Sequence, residues 1–143
     1  MVVRLSAMAR EVFDGLFDTF ADAVLVFSPD GGIIWSNSAF TDLFGWGSPQ
    51  DALDPGEGIV GIIHPDDREE ALRQWRWLLA EPDRQLRWEG RCRMADGSWL
   101  WVDSFQRNKA HDPAIGGVVS VLRDISEQRL AEDRLLASEE SLR

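Results

Sequence analysis

The sequence predicts one α+β domain in which five antiparallel strands form a single sheet and the helices group on one of its faces. Three observations predict this fold. The chain has 143 residues, enough to bury one hydrophobic core. Two turn signals, residues 28–32 and Asp96-Gly97, each separate a pair of short apolar segments. The stretches before, between and after these pairs carry apolar residues at helical spacing.

The central hairpin is predicted for residues 86–105. Alternate residues of its first segment are apolar, which is the period of a strand with one buried face. Asp-Gly favours a tight two-residue turn, because glycine adopts positive φ at little cost. That turn predicts three cross-strand pairs, namely Met94 with Trp99, Cys92 with Trp101, and Trp88 with Phe105. This register would place a wall of large side chains on one face of the sheet.

The N-terminal part of the chain predicts a helix, a hairpin and a short helix in that order. Residues 5–20 have amphipathic spacing and are expected to pack as a helix on the sheet or on a partner chain. Residues 23–28 and 33–35 are the predicted strands of the first hairpin. Ser38 is expected to cap the short helix, which Gly45 ends.

The rest of the chain predicts a loop at residues 46–58 with one helical turn near Asp51, a helix at 66–80 and a last strand at 116–122. The predicted buried stripe of the helix consists of Leu72, Trp75, Leu78 and Leu79, with Trp77 outside it and partly exposed. Residues 127–143 are helical in pattern and strongly charged.

Composition excludes several classes of partner. The formal net charge of −10 would repel the phosphates of nucleic acids and anionic membrane surfaces. A single cysteine cannot form an internal disulfide and fits a reducing compartment. No apolar run approaches the roughly 18–20 residues that span a bilayer. A cytoplasmic location without membrane insertion is therefore expected.

Four segments, in order and at fitting spacing, resemble those of a PAS domain with its C-terminal PAC segment. They are Pro29-Asp30-Gly31 followed by Asn37 and AFTDLFG, then Ile63-His64-Pro65-Asp66-Asp67-Arg68, then Arg93-Met94-Ala95-Asp96-Gly97-Ser98 with Trp101-Val102, and finally Asp124-Ile125-Ser126-Glu127-Gln128-Arg129. The resemblance implies three parts. These are an N-terminal flanking helix at residues 1–21, a PAS/PAC core at 22–126 and a linker helix at 127–143.

The resemblance implies a sensory module of a bacterial-type signal transduction protein that is regulatory and not itself an enzyme. Modules of this family are often dimeric. Their exit helix joins them to an output domain such as a histidine kinase, a cyclic-di-GMP enzyme or a phosphatase. A second hypothesis stays open, in which the domain binds no ligand and serves dimerisation or protein interaction. The sequence contains no nucleophile–base set and no phosphate-binding glycine loop.

No cofactor is predicted, with a flavin or a small apolar ligand as the alternatives. Light-sensing relatives use a cysteine in an Asn-Cys-Arg-Phe-Leu segment, which is missing here, and Cys92 is expected to be a buried apolar residue. Haem-binding relatives use a histidine on the long helix, and residues 66–80 contain none. His64 and His111 are isolated and make no metal site. The candidate ligand pocket consists of Asn37, Phe40, Phe44, Ile63, Leu72, Trp75, Trp88, Cys92, Trp101 and Val119.

Signal transmission is predicted at the junction of the last strand and the exit helix. A carboxylate at Asp124 can cap the free N–H groups of the helix and couple its orientation to the sheet. The candidate transmission residues are Asp124, Ile125 and Ser126. A homodimer is predicted, through the N-terminal helix, the sheet or the exit helix. In the exit helix a short heptad seam would place Gln128, Ala131, Leu135 and Leu142 at the interface.

Overall fold

The computed structural model of the protein describes residues 22–53 and 58–141. Its centre is one antiparallel sheet with the strand order β2-β1-β5-β4-β3. The strands are β1 Ala23–Phe27, β2 Ile33–Ser36, β3 Gln85–Arg93, β4 Trp99–Lys109 and β5 Gly117–Asp124. The predicted α+β class, the five-stranded sheet and both hairpins are confirmed. The helix predicted for residues 5–20 lies outside the described residues, as does Leu142.

Helices connect the strands and follow the last one. In the described part of the chain they are α1 Ser38–Phe44, α2 Pro65–Leu79 and α3 Ser126–Ser141, with 3-10 helices at Pro49–Ala52 and Ile59–Ile62. The cap predicted at Ser38 is one residue off. The N-cap of α1 is Asn37, whose Oδ1 accepts the N–H of Phe40 at 3.3 Å. Gly45, at φ 80°, ends the helix as predicted.

The sheet separates two apolar clusters, because side chains alternate between the faces of each strand. The inner face carries the larger core together with α1 and α2, and its best buried members, at 0–1% exposed, include Leu25, Phe40, Phe44, Leu78 and Val102. The outer face carries a smaller cluster built on Val24, Val26 and Trp35. Of the stripe predicted on α2, Trp75, Leu78 and Leu79 belong to the inner core, while Ala71 takes the place expected of Leu72. Trp77 is 50% exposed, as predicted.

The predicted register of the central hairpin is wrong by one residue. The turn contains three residues, because the N–H of Met94 donates to the carbonyl of Ser98 at 2.8 Å and Gly97 adopts φ 88° inside the loop. One additional turn residue moves every partner by one position and exchanges the faces of the second strand. The observed pairs are therefore Arg93 with Trp99, Arg91 with Trp101, Arg87 with Phe105, Cys92 with Leu100 and Trp88 with Ser104.

The helix α2 begins against the edge of the sheet. Ile63 forms an isolated antiparallel bridge with Cys92 of the edge strand β3. The N–H of His64 donates to the carbonyl of Arg91 at 2.9 Å. The Nδ1 of His64 accepts the N–H of Asp66 at 3.1 Å, so this histidine serves as the N-cap of α2. The start of α2 is thereby fixed to the C-terminal part of β3.

Candidate functional site

Most of the candidate pocket residues line the inner face of the sheet. Phe40, Phe44, Trp88 and Cys92 are buried, with 0–8% of their surface exposed. Ile63, Leu72 and Trp75 are half-buried. The ring of Trp75 meets the ring of Phe27 edge-on, with the centroids 6.1 Å apart. The structure therefore brings six of these residues, all but Leu72, into the inner core.

Trp88 lies flat along its strand, across Gly90. A Cβ atom built on Gly90 would lie 2.2 Å from Cζ2 of Trp88, so any larger residue would displace the indole. The ring thus occupies volume on the inner face that a ligand of the candidate pocket would need. Sequence reasoning overlooked Gly90. The available signal was a glycine two residues after a tryptophan on the same face of a strand.

Trp101 and Val119 lie on the outer face, away from the other candidate pocket residues. The three-residue turn places Trp101 opposite Arg91, and Val119 pairs with Val26 of the outer cluster. Their inclusion in the pocket followed from the wrong register for Trp101 and from the wrong face of β5 for Val119. Their side chains therefore belong to the surface opposite α1 and α2.

Asn37 is 2% exposed, and its amide group joins three elements. Oδ1 accepts the N–H of Val24 at 3.0 Å in addition to the N-cap bond, and Nδ2 donates to the carbonyl of Asp22 at 3.0 Å. These bonds tie the end of β2 and the start of α1 to β1. A buried amide with such partners has a clear structural role.

Cys92 is a free thiol that is 4% exposed. Burial raises the pKa of Cys92 to about 12, and the negative charge of Asp67 adds to the increase. Because the thiolate is the reactive form, this thiol is inert while the domain is folded. It fits a small apolar residue of the core.

We expect the free energy of unfolding to fall at alkaline pH, because the Cys92 thiol ionises in the unfolded chain at a lower pH than in the folded domain. The folded-state pKa of Cys92 is raised to about 12 from an ordinary value of 9.0, so its contribution is complete below about pH 9 and is lost as the pH rises towards 12. The free energy of unfolding should fall by about 1.5 kcal/mol between roughly pH 9 and pH 10.5. Urea unfolding at a series of pH values measures this fall in the free energy of unfolding. Cys92→Ala retains every other titrating group and should show a flatter profile, and equal slopes for the two chains would contradict the prediction.

The exit helix begins with a fixed first turn. The N–H of Ile125 donates to the carbonyl of Trp101 at 3.0 Å, and Ile125 is 6% exposed. Asp124 Oδ1 accepts the N–H of Ser126 at 2.9 Å, which is the capping contact expected of this carboxylate. Beyond this turn, α3 has no buried residue within Ser126–Ser141. The residues of the predicted dimer seam that the structure describes, Gln128, Ala131 and Leu135, are all exposed.

A charged cluster on the outer face joins α2, β3, β4 and α3, and sequence reasoning overlooked it. We call this set, Asp67, Glu89, Arg91, Trp101 and Arg129, the Trp101 cluster. Arg91 donates to both carboxylate oxygens of Asp67 at 3.0 Å, and these hydrogen bonds hold the pKa of Asp67 below its usual value. Arg129 of α3 pairs with Glu89 at 3.0 Å. The Cζ atoms of Arg91 and Arg129 lie 5.1 and 3.7 Å from the ring centroid of Trp101.

Neither a metal centre nor a membrane span is found within residues 22–53 and 58–141. No three His, Cys, Asp or Glu side chains of that part lie in a group that could hold a metal ion. None of its helices combines the length and the apolar composition that a bilayer crossing requires.

Comparisons with known proteins agree on the fold. The family model described as "PAS fold" matches residues 33–114, more than half of the chain. The curated protein "Uncharacterized protein y4lL" of Sinorhizobium fredii is 38% identical over 89 residues, which is 59% of this chain. The chain covers only 10% of the length of that relative.

Solved structures share the architecture at low sequence identity. A sensory box histidine kinase/response regulator from Burkholderia thailandensis has a TM-score of 0.66 at 23% identity, with 91% of this chain and 96% of that one covered. The PAS domain of a protein from Colwellia psychrerythraea has a TM-score of 0.66 at 23% identity, with 82% and 97% covered. At this level of sequence identity, these structural similarities show the fold alone. Together with the family match, they show that the chain belongs to the PAS-fold family.

Proposed function

We propose that this domain is the sensory module of a larger bacterial-type signalling protein and that α3 carries its signal to an output domain. The observation that supports the proposal most directly is the contrast within α3. Its start is bonded through Ile125 to Trp101, near the beginning of β4, while no residue of the helix itself is buried. A change in the sheet is then converted into a change in the direction or register of α3.

The relatives supply a second line of support. The solved structures from Burkholderia thailandensis and Geobacter sulfurreducens are of sensory box histidine kinase/response regulators. The curated relative is about ten times as long as the matched segment, which fits a domain that works inside a larger chain. A cytoplasmic location and a covalently linked output domain are parts of this proposal.

We propose that a ligand stimulates the domain by binding at the inner face of the sheet. A ligand that binds over Gly90 on the inner face has to move the Trp88 indole, because the ring fills that space. A flat apolar molecule or a flavin ring would take the place of the indole with the least loss of apolar contact. Movement of Trp88 would shift β3, which pairs with β4. The shift would reach α3 because the carbonyl of Trp101 in β4 accepts the N–H of Ile125 at the start of that helix.

A second function, dimerisation without a ligand, is favoured by the surface of α3. Leu130, Leu135 and Leu136 are 51–62% exposed. A 16-residue helix without buried residues gains little from packing, and its length is only just above the roughly 12–15 residues below which isolated helices are marginal in water. A second copy that covers Ala131 and Leu135 would supply the missing contacts.

The experiment that tests transmission is Asp124→Ala in the complete protein that carries this domain. Loss of the bond to Ser126 should cost about 0.5–2 kcal/mol of helix stability and change output activity severalfold while the fold is retained. Circular dichroism and an assay of the output domain measure the two effects.

The matched control for this test is Asp112→Ala. It removes the same kind of bond, from Oδ1 to the N–H of Ala114 at 2.9 Å, in a loop away from α3. Output should stay unchanged in this variant. Equal output in the wild type and in both variants would contradict transmission through α3. A domain that sediments as a dimer, with output insensitive to Asp124→Ala, would favour the second function.

A further inference from the structure

The Trp101 cluster contains two cations that share one aromatic ring, and each has its own carboxylate. Arg91 is paired with Asp67 of α2, and Arg129 is paired with Glu89 of β3. We infer that Asp67, acting through Arg91, is a positioning residue that keeps α3 docked on the outer face of the sheet. The inference rests on the proposed function, because it names the residues that would regulate the release of α3.

Glu89 is available to Arg129 only while its strand neighbours have partners. Glu89 lies two residues from both Arg87 and Arg91 on the outer face of β3. Arg87 is held by Asp103 through two hydrogen bonds of 2.8 Å. Arg91 is held by Asp67 through two hydrogen bonds of 3.0 Å. Without Asp67, Arg91 would keep only the long contact to the exposed Asp66, at 3.9 Å, and would compete with Arg129 for Glu89.

The same loss would leave Arg91 weakly compensated at the ring. Four charges contact Trp101 or its two arginines in two close pairs, and a third carboxylate, Asp66, lies farther from Arg91, at 3.9 Å, with 77% of its side chain exposed. When Asp67 is neutralised, Arg91 and Arg129 repel each other across one indole ring. Arg129 is the one free to leave, since it belongs to an otherwise exposed helix, while Arg91 lies within a paired strand.

Docking of Arg129 is already close to balance. Its Nε atom is buried and has no hydrogen-bond partner, which opposes docking. The ring contact and the partly exposed pair with Glu89, whose side chain is 43% exposed, offset that cost. A modest change at the start of α2 can therefore shift α3 between docked and free states.

The test measures hydrogen exchange of the Ile125 and Arg129 amides by NMR in the full chain. Both amides report on the first turn of α3, because they bond to Trp101 and to Ile125 respectively. Asp67→Asn should speed their exchange roughly two- to fivefold, the range that a cation–π contact at an exposed site supports. Glu69→Gln removes the same charge from the first turns of α2 and should leave these rates unchanged.

Arg91→Gln distinguishes two roles of the Asp67–Arg91 pair. The pair either controls the docking of Arg129 through its charges or only supports the local structure. The substitution breaks the same pair with Asp67 but leaves Arg129 alone on the ring with Glu89. The two amides should then exchange at the wild-type rate or more slowly, whereas loss of structural support would speed exchange as in Asp67→Asn. Equal acceleration in Asp67→Asn and Arg91→Gln would overturn the inference, as would unchanged rates in Asp67→Asn. Neither result depends on output activity, so the proposed function would be judged separately by Asp124→Ala.

Discussion

Trp88→Ala is expected to lower the free energy of unfolding by about 3–5 kcal/mol, the usual cost of removing a large buried aromatic side chain. Trp88 is 8% exposed, and its ring packs across Gly90 in the inner core. The variant loses the apolar contacts of the indole and leaves a cavity that rigid neighbours cannot refill. Urea unfolding monitored by circular dichroism measures the loss.

Trp77→Ala is the matched control, because the chemical change is identical and the residue is 50% exposed. Its ring contacts the guanidinium of Arg84, 4.3 Å from the centroid, so a loss of at most about 1 kcal/mol is expected. Added indole should raise the melting temperature of Trp88→Ala and leave that of Trp77→Ala unchanged, since only the first variant has an indole-shaped cavity. Similar losses in the two variants would show that Trp88 is not a core residue.

Gly117→Ala has the second-largest expected effect, a loss of about 3 kcal/mol. A Cβ at this position would lie 2.2 Å from the carbonyl oxygen of Phe27 and 3.0 Å from Cδ1 of Ile34. The oxygen belongs to the backbone of β1, so relief requires the β1–β5 pairing to shift rather than a side chain to rotate. Denaturant unfolding of the purified variant measures the loss.

Gly97→Ala separates the effect of space from the effect of backbone conformation. Gly97 has φ 88°, but nothing lies within 4 Å of its would-be Cβ. Only the conformational cost remains, about 1 kcal/mol. We therefore expect Gly117→Ala to be clearly the more destabilising of the two. The reverse order would mean that β1 and β5 can separate at little cost.

Local chemistry was sufficient to predict the elements of this fold. Turn residues, helix caps and apolar periodicity act within a few positions, and they located the hairpins and the end of α1 at Gly45. Register depends on the conformation of a single turn. Asp96-Gly97 fits both a two-residue and a three-residue loop, and the choice decides which face Trp101 occupies.

The candidate site was harder to predict, because its contacts are distant in sequence. Arg91 and Asp67 are 24 residues apart, and Arg129 and Glu89 are 40 apart. No periodic pattern links such pairs. The capping contact of Asp124 was predictable since its partner is two residues away, and the burial of Cys92 followed from strand alternation.

The start of α2 against β3 also determines how copies of this domain can meet. Near the C-terminal end of this edge strand the N–H of Arg91 donates to Asp67 at 3.0 Å, and its carbonyl accepts from His64. A strand from another molecule needs both groups free in order to pair with this part of β3. Edge-to-edge pairing is thus blocked at Arg91, and a second copy that extends the sheet has to use the first part of β3 or the opposite edge strand, β2.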